Sequence, residues 1–122
     1  MRIRHGSRDG IRVMRLKGRL AGTDAEERLS KVFRRIVRPR TARLIVDLTE
    51  VDFVGVMVVH VFVVAHYTLR KLGGRMVLSG ASEHVAQMIT QMTNLEHPLE
   101  LTATYEEAAA SLLAPAPAVE TL

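Results

Sequence analysis

Leu44-Ile45-Val46-Asp47-Leu48-Thr49-Glu50-Val51-Asp52-Phe53, followed by Val54-Gly55-Val56-Met57-Val58-Val59, decides what kind of fold this chain makes. Residues 44–48 are a short β-branched and apolar run with an acid near its end, which suits an interior strand covered on both faces. The next segment is ambiguous, because eight of the residues from 51 to 64 are valine and valine favours strands. It runs on, however, through Tyr67-Thr68-Leu69-Arg70-Lys71-Leu72 and stops at Gly73-Gly74. That length and the glycine pair predict a helix over 56–72. A helix this apolar is either covered nearly all round or shows an oily face to a partner.

Downstream, Arg75-Met76-Val77-Leu78-Ser79 reads as a strand, and Ser82 as the cap of a helix with Val85, Met88, Ile89 and Met92 on one side. Leu99-Glu100-Leu101-Thr102 is a last strand, and the capping box Thr104-Tyr105-Glu106-Glu107 opens an alanine-rich helix ending near Leu113. Upstream, Ile11, Val13 and Leu16 approximate the alternation of a strand over 11–17. Thr23-Asp24-Ala25-Glu26 reads as a further capping box, starting a helix over 24–37 that ends before Pro39. Strands separated by helices predict an α/β fold, a small mixed and mostly parallel sheet with about four helices. One domain is expected over 1–113, with an Ala/Pro-rich flexible tail over 114–122.

A chain of 122 residues with 48% apolar and 25% charged content is long enough for one core and too apolar for disorder. The absence of cysteine excludes disulfides, thiolate catalysis and Cys-ligated metals, and fits a cytoplasmic protein. The charged start Met1-Arg2-Ile3-Arg4 lacks the apolar stretch of a secretory signal. The run from Val54 to Ala65 is 12 residues, short of the roughly 18 to 20 that span a bilayer. Residues 1–43 carry a net charge of +10 and residues 44–122 a net charge of −6. Arg34, Arg35, Arg38, Arg40 and Arg43 are the densest basic run, read first as a solvated helix end suited to the negative pole of its dipole. Five aromatic residues make a poor stacking platform for single-stranded nucleic acid.

Reactive constellations are missing. Neither G-x-G-x-x-G nor G-K-[ST] occurs. His60 and His66 would sit about 240° apart around one helix, a poor geometry for sharing a metal. They read as one packed and one surface histidine. Ser79 and Ser82 read as turn and cap residues, and Asp47, Glu50 and Asp52 as loop or strand-end acids without a catalytic partner. No enzyme activity, cofactor or metal is expected.

The succession Leu44–Phe53, a greasy helix, Gly73-Gly74-Arg75-Met76-Val77-Leu78-Ser79-Gly80 and Tyr105-Glu106-Glu107-Ala108, with the Gly18-Arg19-Leu20 turn before the first helix, resembles a STAS domain of the anti-sigma-factor antagonist type. The resemblance covers about residues 1–113. It implies a small sheet backed by helices and a regulatory binding module. In that family a kinase-like anti-sigma factor binds the domain, and phosphorylation of a serine at the start of the second helix releases it. Directly after the position of Val54 the family has an Asp, a Ser, a Ser or Thr, and a Gly; this chain has Gly55, Val56, Met57 and Val58. Val56 and Met57 thus occupy degenerate phosphoacceptor positions with no hydroxyl to modify. An acidic family position in the turn after the second strand appears as Ala21.

The expectation is therefore a non-phosphorylatable protein-binding module in bacterial transcription regulation, a constitutive or repurposed binder. Its contact residues would be Ala21, Thr23 and Asp24 together with Gly55, Val56, Met57, Val58 and Val59. The partner would be an anti-sigma factor or kinase-like protein, an assembly subunit, or a second copy of the chain. One alternative is the STAS subunit of an ABC-type membrane transport assembly. Another is nucleic-acid binding through the basic N-terminal half.

Overall fold

The computed structural model describes residues 1–114, so the expected tail lies, from Pro115 onward, outside the described residues. Five strands and four helices follow one another as β1 (Arg2–Arg8), β2 (Ile11–Leu20), α1 (Thr23–Ile36), β3 (Arg43–Val54), α2 (Val56–Lys71), β4 (Arg75–Ser79), α3 (Glu83–Gln91), β5 (Glu100–Thr102) and α4 (Tyr105–Leu113). The sheet has the order β1-β2-β3-β4-β5; β1 is antiparallel to β2 and every other pair is parallel. The mixed, mostly parallel α/β architecture is the one expected.

Alternation along the interior strands splits the core in two. Leu44, Val46 and Leu48 of β3 join Met14, Leu16, Leu29, Phe33, Val58, Phe62, Leu69 and Val85 in the main cluster, under α1, α2 and α3. On the other face Ile45 packs with Ile11, Val77, Ala108 and Leu112, covered by α4. Both faces of β3 are thus dry over residues 44–48, which is why its first half reads as a nearly unbroken apolar run.

The boundaries carry three corrections. β1 is not among the strands expected from the sequence; it is joined to β2 through Asp9 and Gly10, both at positive φ, the signature of a two-residue type I′ hairpin. β2 and β3 extend beyond the expected 11–17 and 44–48, kept paired across two register shifts at which β3 carries one extra residue each. At α1 the capping box is absent: the cap is Gly22, with no side-chain bond, and Thr23 is already the first helical residue. The second box forms with its return bond shifted one residue outward. Thr104 Oγ1 accepts from the Glu107 amide at 3.1 Å, and Glu107 Oε2 accepts from the Ala103 amide at 3.3 Å. Ser82 also caps as expected, accepting from the Val85 amide at 3.1 Å. α2 ends in a Schellman motif, with Gly73 at φ 82 and the Gly74 amide donating to the Leu69 carbonyl at 2.8 Å.

Candidate functional site

The start of α2 is assembled from two distant pieces of chain. Gly55, its N-cap, is extended (φ −85, ψ 163), and its amide donates to the Leu20 carbonyl at 2.8 Å. That bond carries the β2–β3 pairing past Leu20↔Val54, so the turn leading into α1 lies against the turn leading into α2. Ala21 lies where a side chain on Gly55 would begin, and Thr23 and Asp24 are exposed on the same turn. Asp24 forms an exposed ion pair with Arg28 at 3.8 Å.

No side chain caps α2, and its first turn holds no acid. Its free amides and the positive end of its dipole are left without an internal anion. Val56 is 63% exposed and Met57 49% exposed. By contrast Val58 and Val59, expected to contact a partner, are 0% and 2% exposed and belong to the core. The helical turn that brings Val56 and Met57 to the surface rotates the next two residues inward, so the expectation that Val58 and Val59 are surface residues is corrected.

Below Val56 and Met57 the exposed stripe continues through His60 and Val64, one and two turns further along α2. Val64 is 51% exposed. It opens into a groove of about 430 Å³ between α1 and α2, floored by Phe33, Val61, Val64 and Ala65 and edged by Glu26, Arg34 and His60. The apolar run over 56–72 hid this stripe, because outward and inward valines look alike in the sequence. On the other flank Arg19 stacks over the Phe53 ring at 4.0 Å, beside the same turn. The β2–β3 register, not composition, brings that pair together.

The remaining polar candidates do not come together at one place. Asp47, 9% exposed, accepts from the Thr49 amide at 2.9 Å and the Thr49 hydroxyl at 2.6 Å, and pairs with Arg15 at 3.2 Å. Glu50 pairs with Lys17 at 3.4 Å, and Asp52 is exposed. Ser79 ends β4 and is buried, rather than lying in a turn. His66 is buried with its Nε2 at 2.8 Å from the His97 carbonyl, whereas His60 is exposed, the division expected for the pair. Among the described residues no group of three or more His, Cys, Asp or Glu is placed to hold a metal, and no helix is long and apolar enough to cross a membrane.

No curated protein matches the chain in sequence. The fold is similar to a Thermotoga maritima protein described as an anti-sigma factor antagonist, with 18% identity, a TM-score of 0.79, and coverage of 90% of this chain and 93% of that one. An RsbS variant from Moorella thermoacetica gives 18% identity and a TM-score of 0.75, over 92% and 95% of the two chains. The murine Slc26a9 anion transporter gives 19% identity and a TM-score of 0.72 over 84% of this chain but 18% of its own. At these identities the structures share a fold, which makes up nearly all of the first two chains and a small part of the transporter. The family model for the STAS domain matches residues 3–108. With nearly the whole described fold inside that match, the chain belongs to the STAS domain family.

Proposed function

We propose that this chain is a non-enzymatic protein-binding regulatory module of the anti-sigma-factor-antagonist kind that has lost covalent control at the start of α2. The observation that carries the reading is the exposure of Val56 and Met57, 63% and 49%, at an uncapped helix start. A phosphate there would add about −1.5 to −2 charges at the positive end of a helix. Valine and methionine have no hydroxyl to accept it. Their exposed apolar surface instead favours a dry, shape-matched contact, with Ala21, Thr23, Asp24 and Gly55 beside it and the α1–α2 groove continuing from it. Such a contact stays made until the partner is removed or competed away.

The test pairs binding with folding. In pull-downs from the native host and in size-exclusion chromatography, Val56→Asp and Met57→Asp are expected to abolish association while circular dichroism and melting stay close to wild type. Unchanged association overturns the reading. Incubation with ATP and host extract is expected to leave peptides covering residues 55–58 unmodified, and phosphate on Thr23 or Thr49 instead would reveal a switch that has moved rather than vanished. Recovery of a transport ATPase with the wild-type chain would assign the same surface to a transport assembly; a dimer lost in Val56→Asp would assign it to self-association.

A further inference from the structure

β1 is a free edge. β2 pairs with it on one side, and no strand among the described residues pairs with it on the other. Six of its seven residues are exposed, and Ile3 is half-buried. In a two-residue hairpin the residues flanking the turn, Arg8 and Ile11, exchange both backbone bonds. By the alternation of an antiparallel ladder, Ile3, His5 and Ser7 then aim their N–H and C=O groups outward, away from β2. A long exposed edge of this kind is a template for another strand unless something deters it.

The side chains decide which strand it admits. Arg2, Arg4 and Arg8 stand opposite Lys17, Arg15 and Ile11, on the sheet face that carries α4. Asp47 neutralises Arg15 and Glu50 neutralises Lys17. Arg8 lies 5.2 Å from the Tyr105 ring centre and reaches only its neighbour Asp9, at 4.0 Å. Arg2 and Arg4 have no acidic partner among the described residues and line a shallow groove with Arg15, Lys17 and Glu50. A second copy of β1 brought to this edge would set arginine against arginine, which is destabilising. An acidic strand meets the opposite situation.

We propose that the β1 edge receives an extended acidic segment of a protein partner by strand addition, with Asp or Glu at alternate positions facing Arg2, Arg4 and Arg8 and backbone bonds to Ile3, His5 and Ser7. Alternation matters, since only every second residue of an added strand faces the cations. A nucleic acid would use the charges but not the outward amides, and Tyr105 alone offers it little to stack on. This surface belongs to β1, not α2, and stands independently of the function proposed above.

The probe is a labelled seven-residue peptide alternating Glu with Val and Thr, titrated against the whole chain. Saturable binding that weakens as salt rises is expected, with amide shifts at Ile3, His5 and Ser7. Arg2→Glu with Arg4→Glu should weaken it by about tenfold or more. His5→Pro removes one outward N–H while keeping every arginine, and should weaken it comparably. N-methylating the peptide on alternate residues makes the same test without touching the protein, should His5→Pro fold poorly. Absence of saturable binding overturns the proposal. So does equal affinity for the N-methylated peptide, or a duplex DNA that binds more tightly and loses affinity with the arginines but not with His5→Pro; either would make this a plain polyanion surface.

Discussion

The Gly55 amide bonds to the Leu20 carbonyl at 2.8 Å, joining the entry of α2 to the entry of α1. A side chain at Gly55 would begin 3.3 Å from the Ala21 Cβ, so the two turns leave each other little room. Gly55 has a φ of −85, open to any residue, so what a substitution costs there comes from contact and not from backbone strain. Gly55→Ala is expected to stay within about 1 kcal/mol of wild type and Gly55→Leu to lose roughly 1–3 kcal/mol. Urea denaturation of the two variants checks this; equal stabilities would show that the turns are not packed as described.

Neighbouring residues at the start of α2 should respond in opposite ways to the same change. Val56→Asp and Met57→Asp place a carboxylate at an exposed helix N-terminus, where the dipole favours it, and should alter stability by no more than about 1 kcal/mol. Val58→Asp puts an unpaired charge into the main cluster and should cost about 4 kcal/mol or more, enough to unfold much of the population. Thermal melts of the three variants give the comparison.

Two identical-looking capping signals should differ just as sharply. Thr104 holds the Glu107 amide, so Thr104→Ala is expected to cost about 1 kcal/mol. Thr23 makes no capping bond, and Thr23→Ala should change stability by less than about 0.5 kcal/mol. Chemical denaturation reads both; a large loss at Thr23 would restore the box that the structure lacks.

Gly80, at φ 73, follows β4, and a Cβ there would run into the Thr49 hydroxyl and close on the Asp47 carboxylate. Gly80→Ala is therefore strained by backbone and neighbour together, and is expected to destabilise by roughly 2 kcal/mol or more. Asp47→Ala removes the acceptor shared by the Thr49 amide and hydroxyl and should cost about 1–3 kcal/mol. Because the two sites touch, the double variant should lose less than the sum, which a double-mutant cycle measures.

These contrasts mark where the sequence could be read and where it could not. Buried strands announce themselves, since β4 was expected at 75–79 and lies there, and the Gly73-Gly74 stop is a real Schellman end. β1 escaped because an edge strand with one half-buried apolar residue has no oily face to display; its only signal was Asp9-Gly10. The false box at Thr23 shows the limit of local spelling. With Gly22 bonding the Glu26 amide through its carbonyl, the helix begins one residue early and Thr23 is carried past the capping position. At the site, the missing hydroxyls at residues 56 and 57 were visible in the letters. Which of the four consecutive residues from Val56 to Val59 face water was not, because that depends on helix phase against the sheet.

The most direct measurement places a photo-crosslinking residue at Met57 in the native host and illuminates the cells. The account predicts one discrete protein adduct, lost when Val56→Asp is added and absent when the crosslinker sits at the exposed Arg40 instead. An adduct no stronger at position 57 than at position 40, or one indifferent to Val56→Asp, would contradict it.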